Sequence, residues 1–437
     1  MIHKLDFEDW LVAQKRKAKK DNQAFKKVFI GERSYPHIYG KVHYPRINHD
    51  VAQSAWLKEI VCNPDILAKH GFLPFISNDK RQRKFREPPY DYEFTNLRGG
   101  RNQQKFPHIK SRRIMYASHR DACIFSFYSY LLQQEYEKLL IDMNLVGSVI
   151  AYRSIDGKNN VDFAKEAFEE MQSRSEYDCI MLDVKGFFDN LDHSLLKKRW
   201  EILIPGGFTK NKDQGLIFNR ITKYRYLNFN DAIRCLRLHR RRYLITEQSS
   251  LRLCSLRDYN KYLKRTVKAN RTSKGIPQGS PISGTLANIY LMDFDSAMKS
   301  VIVEKHGGIY QRYSDDIFIL CPPELAKTIY DELQQALAKE KLWLGVNKTE
   351  AFRMKSCNTY LENITTEVEP NGNNKRREAQ YLGFHFNGKT ISFRPSTLSR
   401  HVGFKRKANY LKGAYRKTLS KVVARQMNKI RSIVKKK

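Results

Sequence analysis

Ile309-Tyr310-Gln311-Arg312-Tyr313-Ser314-Asp315-Asp316-Ile317-Phe318-Ile319-Leu320 is the stretch on which the reading of this chain turns. Its two short apolar runs, Ile309 to Tyr313 and Ile317 to Leu320, flank Ser314-Asp315-Asp316, which predicts a β-hairpin with carboxylates at its turn. Upstream, Cys179-Ile180-Met181-Leu182 ends on Asp183 and reads as a buried strand. If these strands are neighbours, three carboxylates meet at one end of a sheet. An Asp-Asp pair alone is an ordinary turn element, so the pattern gains weight only from its company.

Working outward, Ser280-Pro281 offers an N-cap residue and a proline at the first helical position, and Ile282, Leu286, Ile289, Tyr290 and Phe294 then line one helix face. Ile124, Phe127, Leu131, Leu132 and Tyr136 recur at helical spacing, Val149 to Arg153 reads as a short strand, and Asp162 to Met171 as a helix. A further strand is expected from Tyr381 to Phe386. The segment from Gly71 to Arg120 is rich in Pro, Asn, Arg and Lys and predicts loops and short strands. Between Trp200 and Lys274 lies a long basic stretch with His239-Arg240-Arg241-Arg242, partly helical. The basic run Lys15 to Lys20 belongs to a helix beginning near Asp6. Beyond Ser396 the apolar residues Leu411, Tyr415, Leu419, Val422, Met427, Ile430 and Val434 step by threes and fours, so the chain ends in basic amphipathic helix. The class is mixed α+β.

Composition names the partner class. Eighty Lys and Arg against 45 Asp and Glu leave a formal charge of +35, which attracts a polyanion, either nucleic acid or an acidic membrane surface. The 24 Tyr and 24 Phe can build core and can also stack on bases. No apolar run is long enough to span a bilayer and Met1 to Asp6 opens no signal peptide, so a cytoplasmic protein with no membrane partner is expected. The seven cysteines are scattered and never spaced Cys-x-x-Cys, which predicts reduced thiols and no zinc knuckle.

Three segments appear in order: Leu182-Asp183-Val184-Lys185-Gly186-Phe187-Phe188-Asp189-Asn190-Leu191-Asp192-His193, then Gly275-Ile276-Pro277-Gln278-Gly279-Ser280-Pro281-Ile282-Ser283, then Tyr313-Ser314-Asp315-Asp316. Together they resemble the palm motifs of reverse transcriptases. Leu344-Gly345-Val346-Asn347-Lys348-Thr349 and Tyr381-Leu382-Gly383-Phe384 resemble the later palm segments. Ile114 to Asp121, Val149 to Arg153 and Tyr381 to Lys389 are similar to the bacterial "unknown group" enzymes, which include defence-associated reverse transcriptases acting against phage.

The resemblance implies an RNA-directed DNA polymerase with right-hand architecture: an antiparallel palm sheet, fingers and a helical C-terminal thumb. On that basis residues 1–70 form a basic N-terminal extension, 71–395 the fingers and palm with a basic insert at 200–274, and 396–437 the thumb. Two Mg²⁺ ions, about 3.5–4 Å apart in such enzymes, require oxygen ligands. The resemblance assigns these to Asp183 and Asp315, with Asp316 a weaker ligand and the Val184 backbone carbonyl another. Gln278 would contact the incoming nucleotide, Arg112 or Arg113 would grip its triphosphate, and Lys348 would lie near the phosphates. Phe188 would sit beneath the sugar and exclude a 2′-hydroxyl. Tyr381, Leu382 and Gly383 would hold the primer end. The implied partners are an RNA template, a structured non-coding RNA in the defence reading, with a DNA primer or product and deoxynucleoside triphosphates. The alternatives are a retron- or intron-type enzyme, template-independent nucleotide addition, and a non-catalytic RNA-binding scaffold.

Overall fold

The structure, a computed structural model, describes residues 6–14, 51–86, 106–174, 177–238, 253–345, 348–355, 360–370 and 378–394. The basic run Lys15 to Lys20, His239 to Arg242 and the expected thumb at 396–437 lie outside the described residues. Twelve strands are described: β1 (Phe75–Arg86), β2 (Phe106–Tyr116), β3 (Asp178–Asp183), β4 (Arg225–Asn228), β5 (Lys268–Ala269), β6 (Ile309–Tyr313), β7 (Asp316–Cys321), β8 (Glu350–Lys355), β9 (Tyr360–Asn363), β10 (Ala379–Tyr381), β11 (Phe384–Phe386) and β12 (Ile391–Phe393).

Five of them form an antiparallel sheet in the order β6-β7-β3-β8-β9. Its central strands β3 and β7 are covered on both faces, which is why they read as continuous apolar runs rather than alternating ones. Alternation returns in how they are covered. Ile180, Leu182, Ile317 and Ile319 point into the main core, while Cys179, Met181, Phe318 and Leu320 point into a second cluster with Phe168, Phe352 and Tyr381. The edge strand β6 keeps a visible period of two, with only Tyr310 and Arg312 buried.

Helices pack the main core. Helix His119–Asp142 starts at Ser118, whose hydroxyl accepts the Asp121 N–H, and buries Ile124, Phe127, Leu132 and Tyr136. The N-terminal helix at 6–14 adds Phe7 and Trp10, whose rings lie 6.0 and 5.9 Å from Phe127. Helix Asn160–Ser173 opens on a capping box between Asn159 and Asp162 and covers the second cluster. Among the described residues no helix is long and apolar enough to cross a membrane.

A second sheet runs β2-β1-β4-β5. Here β1 and β2, of 12 and 11 residues, are far longer than the short strands expected, and pair from Ile76↔Tyr116 to Arg86↔Phe106. β4, from the basic 200–274 stretch, adds in parallel to β1 at Phe75↔Tyr226, while Ile217, Phe218 and Ile221 of helix Lys212–Thr222 enter the main core. The described parts of that stretch, 200–238 and 253–274, thus contribute to the same sheet and core as its flanks.

Three local expectations are corrected. The helix after Ser280-Pro281 begins at Ser283, because Gly279 at φ +116° turns the chain and the Ser283 hydroxyl donates to the Pro277 carbonyl (2.7 Å). Val149 to Arg153 makes one bridge, Val149↔Arg312, and no strand. Tyr381 to Phe386 is two strands, β10 and β11, joined by Leu382 and Gly383, both at positive φ (+45° and +94°), as a two-residue hairpin turn requires. The α+β class holds, with β10-β11-β12 as a third, antiparallel sheet.

Candidate active site

The register of β3 against β7 sets Asp183 directly opposite Asp316. Cross-strand partners in this position share a face and stand about 4.5–5.5 Å apart at Cβ, a spacing that is unfavourable for like charges. Asp315 and Ser314 are the two-residue turn closing Tyr313↔Asp316, with Ser314 at φ +63°. Val184 donates its N–H to the Asp315 carbonyl (3.0 Å). Because the N–H and C=O of one extended residue point the same way, the Val184 carbonyl is directed at the turn as well.

Burial, and then the Asp315 and Asp183 charges, push the Asp316 carboxyl up to about 7. Burial and Asp183 raise Asp315 also, against the lowering influence of Lys348 and Arg112. Lys348 forms an ion pair with Asp183 through Oδ2. Asp183 and Asp316 at paired strand ends and Asp315 in the adjoining turn are oxygen donors of the kind hard divalent cations take. Among the described residues no three His, Cys, Asp or Glu side chains converge on a common point by themselves. Asp183 is instead turned to the Lys348 ammonium. The residues present fit a hard cation that would relieve the repulsion among them.

The loop carrying Gln278 is clamped from two sides. Gly275 and Ile276 donate N–H bonds to the carbonyls of Leu191 (2.8 Å) and Phe188 (2.9 Å), and Met115 of β2 donates to the Gln278 carbonyl (2.8 Å). Gly279 makes the second contact possible, since a Cβ there would lie 2.6 Å from the Met115 carbonyl oxygen and its φ of +116° disfavours any L side chain. Gly279→Ala should therefore undock the loop. The expected result is a loss of more than about 1 kcal/mol in stability by denaturant titration, with weaker nucleotide binding. An unchanged midpoint and unchanged affinity would show that the clamp does not matter.

Phe187 and Phe188 do not lie on an extended segment. They begin the short helix Phe187–Asn190, entered through Gly186 at φ +57°. Phe187 is buried in the main core and Phe188 half-buried at its edge, the two rings packing tilted at 57° with centroids 5.6 Å apart.

Adjacent arginines on β2 take opposite directions. Arg112 is near enough to act on Asp315. Arg113 stacks over the Tyr226 ring (5.3 Å), donates to its hydroxyl (3.4 Å) and approaches Asp79 (3.6 Å). Tyr381 is buried with its ring 5.2 Å from Phe318, and among the described residues its hydroxyl finds no hydrogen-bond partner. Leu382, strained at φ +45°, accepts a bond from Asn160 (3.3 Å).

Sequence reasoning missed what supports the hairpin from below. Arg312 and Asp295, both fully buried, form a two-point ion pair (2.7 and 2.6 Å), and Tyr310 donates to the same carboxylate (2.6 Å). Arg312 also donates to the Ser314 carbonyl (3.1 Å). The available signal was a charged residue on the buried parity of β6. Arg394, whose charge lowers the Asp316 carboxyl, was missed as well and left no pattern to find.

Comparison with known proteins bears on this arrangement. Residues 231–386, a little over a third of the chain, match the family model described as reverse transcriptase (RNA-dependent DNA polymerase). The match spans Gln278, Asp315, Asp316, Lys348 and Tyr381 to Gly383, and Asp183 lies upstream of it. No curated protein sequence matches. Similar solved structures include apo telomerase from Candida tropicalis truncated from its C-terminal domain (13% identity, TM-score 0.37, covering 78% of this chain and 60% of that one). Telomerase from Candida albicans in complex with a fragment of telomeric RNA is another (12%, 0.33, 88% and 60%). A third is the RNA-dependent RNA polymerase of a human picobirnavirus (11%, 0.35, 72% and 43%). This chain thus spans less than two thirds of the length of each. The family match covers Asp315 and Asp316, two of the three carboxylates that the fold brings together.

Proposed function

We propose that this chain is an RNA-directed DNA polymerase that extends a primer with deoxynucleotides on an RNA template. The observation that carries the reading is the register placing Asp183 opposite Asp316, with Asp315 in the adjoining turn. Asp183, Asp315, Asp316 and the Val184 carbonyl would hold two Mg²⁺ ions, which supply activation of the 3′-hydroxyl and neutralisation of the triphosphate. Lys348 and Arg112, both acting on these carboxylates, are suited to receive the phosphates once the acids are occupied by cation. Gln278 contacts the nucleotide from the clamped loop, and Tyr381, Leu382 and Gly383 support the primer end from the β10–β11 turn. The charge of +35 holds template and primer chiefly through phosphates.

The finer reading is a role in antiviral defence on a structured non-coding RNA, supported by the resemblance of Ile114 to Asp121 and Tyr381 to Lys389 to the bacterial defence-associated enzymes. Incorporation of labelled deoxynucleotide on primed RNA, with and without Mg²⁺, tests the activity. Binding without incorporation would favour a scaffold, and a product sequence unrelated to the template would favour template-independent addition.

Sugar choice is assigned to Phe188. Phe188→Ala should admit ribonucleotides with moderate loss of deoxynucleotide use. Phe187→Ala should leave the preference unchanged and destabilise the protein by roughly 3–5 kcal/mol, since its ring is 2% exposed. The deoxy-to-ribo ratio of kcat/KM and the melting temperature of each variant check both. A ratio that stays fixed in Phe188→Ala would remove this residue from the sugar contact.

A further inference from the structure

Buried groups tie residues 148–152 to the turn that carries Asp315. Ile150 donates its N–H to the Arg312 carbonyl (3.0 Å), and Arg312 donates its own to the Ser148 carbonyl (2.7 Å). The Asn288 amide accepts from the Arg312 guanidinium (3.3 Å) and donates to the Ala151 carbonyl (2.8 Å). The same guanidinium holds the Ser314 carbonyl (3.1 Å). What this bracing presents is Tyr152, at φ +59° and 51% exposed, with its hydroxyl 3.2 Å from the Ser314 hydroxyl.

Two non-glycine residues in the left-handed region, bonded to each other beside a candidate metal ligand, are a costly arrangement that persists only where the surroundings enforce it. Core packing does not demand it, since Tyr152 as a residue is half exposed. The floor beneath the ring is also specialised. A Cβ on Gly284 would lie 2.7 Å from the Tyr152 Cγ, so a position inside helix Ser283–Tyr290, where alanine would favour the helix, accommodates the ring only as glycine.

We infer that Tyr152 is a positioning residue for the metal-bearing turn: its hydroxyl, through Ser314, fixes the direction of the Asp315 carboxylate toward the divalent cation. This rests on the reading of Asp183, Asp315 and Asp316 as the metal-holding carboxylates of a polymerase. Gly284 seats the ring, and the Arg312–Asn288 pair fixes both partners of the hydroxyl contact to one buried support.

The test uses the full chain with Mn²⁺ alone as probe, free ion being counted by electron paramagnetic resonance, and Mg²⁺-dependent primer extension in parallel. Tyr152→Phe and Ser314→Ala should each weaken Mn²⁺ binding roughly 3- to 10-fold, the loss of one hydrogen bond. The double variant should be no worse than either single one, because both remove the same contact. Gly284→Ala should weaken Mn²⁺ binding while leaving the melting temperature unchanged or higher. In extension assays the Mg²⁺ concentration for half-maximal rate should rise while KM for nucleotide stays constant. Wild-type Mn²⁺ binding by Tyr152→Phe, or effects that multiply in the double variant, would overturn the inference while leaving the polymerase reading intact. Should the unaltered chain bind Mn²⁺ in this Tyr152-dependent way yet extend no primer, the polymerase reading falls and the positioning role stands. A chain that neither binds nor extends refutes both.

Discussion

Replacing Asp315 and Asp316 together by Ala should abolish DNA synthesis, with a fall of at least about a thousandfold in incorporation rate, while RNA binding stays largely intact. The rate argument is electrostatic. Developing negative charge at the transferred phosphoryl group is stabilised by cations that these carboxylates hold, a contribution of several kcal/mol, and each ~1.4 kcal/mol lost is tenfold in rate. The binding argument is the protein's charge of +35, from which two acidic residues subtract, so phosphate contacts survive and even gain. The substitution should not unfold the chain. Asp316 faces Asp183 across the sheet and burial already opposes its charge, so removing it relieves repulsion. Single-nucleotide incorporation on primed RNA, an RNA-binding titration and a melting curve on the same preparation give the three readouts. Retained synthesis in a verified double variant would rule out this active site.

A loss of stability as large as that of Phe187→Ala is expected at Asp295, a residue that touches none of the proposed reactants. Asp295→Ala strands the Arg312 guanidinium in a fully buried position after removing two short bonds, and leaves the Tyr310 hydroxyl unpaired. Breaking a buried pair on one side costs roughly 3–5 kcal/mol, because the remaining charge has no solvent to turn to. Replacing both partners by apolar residues, Asp295→Leu with Arg312→Met, should recover much of that loss, since the ion pair and its desolvation disappear together. The recovered protein should still polymerise poorly, because Arg312 also holds the Ser314 carbonyl next to Asp315. Denaturant midpoints for both singles and the double form the cycle, and a double variant as unstable as the sum of the singles would mean that the two residues do not act as a unit.

The hairpin of β6 and β7 and the strand ending on Asp183 were legible in the sequence because they depend on local pattern, whereas the three acids stood out only through the resemblance of their segments to polymerase palm motifs. Short apolar runs bounded by polar residues specify strands without reference to anything distant, and a sheet centre covered on both faces writes itself as unbroken hydrophobicity. Helices His119–Asp142 and Asn160–Ser173 were legible for the same reason, their apolar residues repeating at helical spacing. What the pattern could not contain is which strand lies beside which. Only tertiary pairing set Asp183 across from Asp316, added β4 of the basic stretch to β1, and brought the Arg112 charge within reach of Asp315 while Arg113 went to Tyr226. Phe187 and Phe188 entered a helical turn because the loop at Gly275 and Ile276 binds the carbonyls of Leu191 and Phe188 and holds that segment bent. The Arg312–Asp295 pair and Tyr152 were equally out of reach. A charge on a buried parity becomes favourable only when its partner arrives from another element, and a strained backbone angle is paid in local energy that the composition of its own segment does not record.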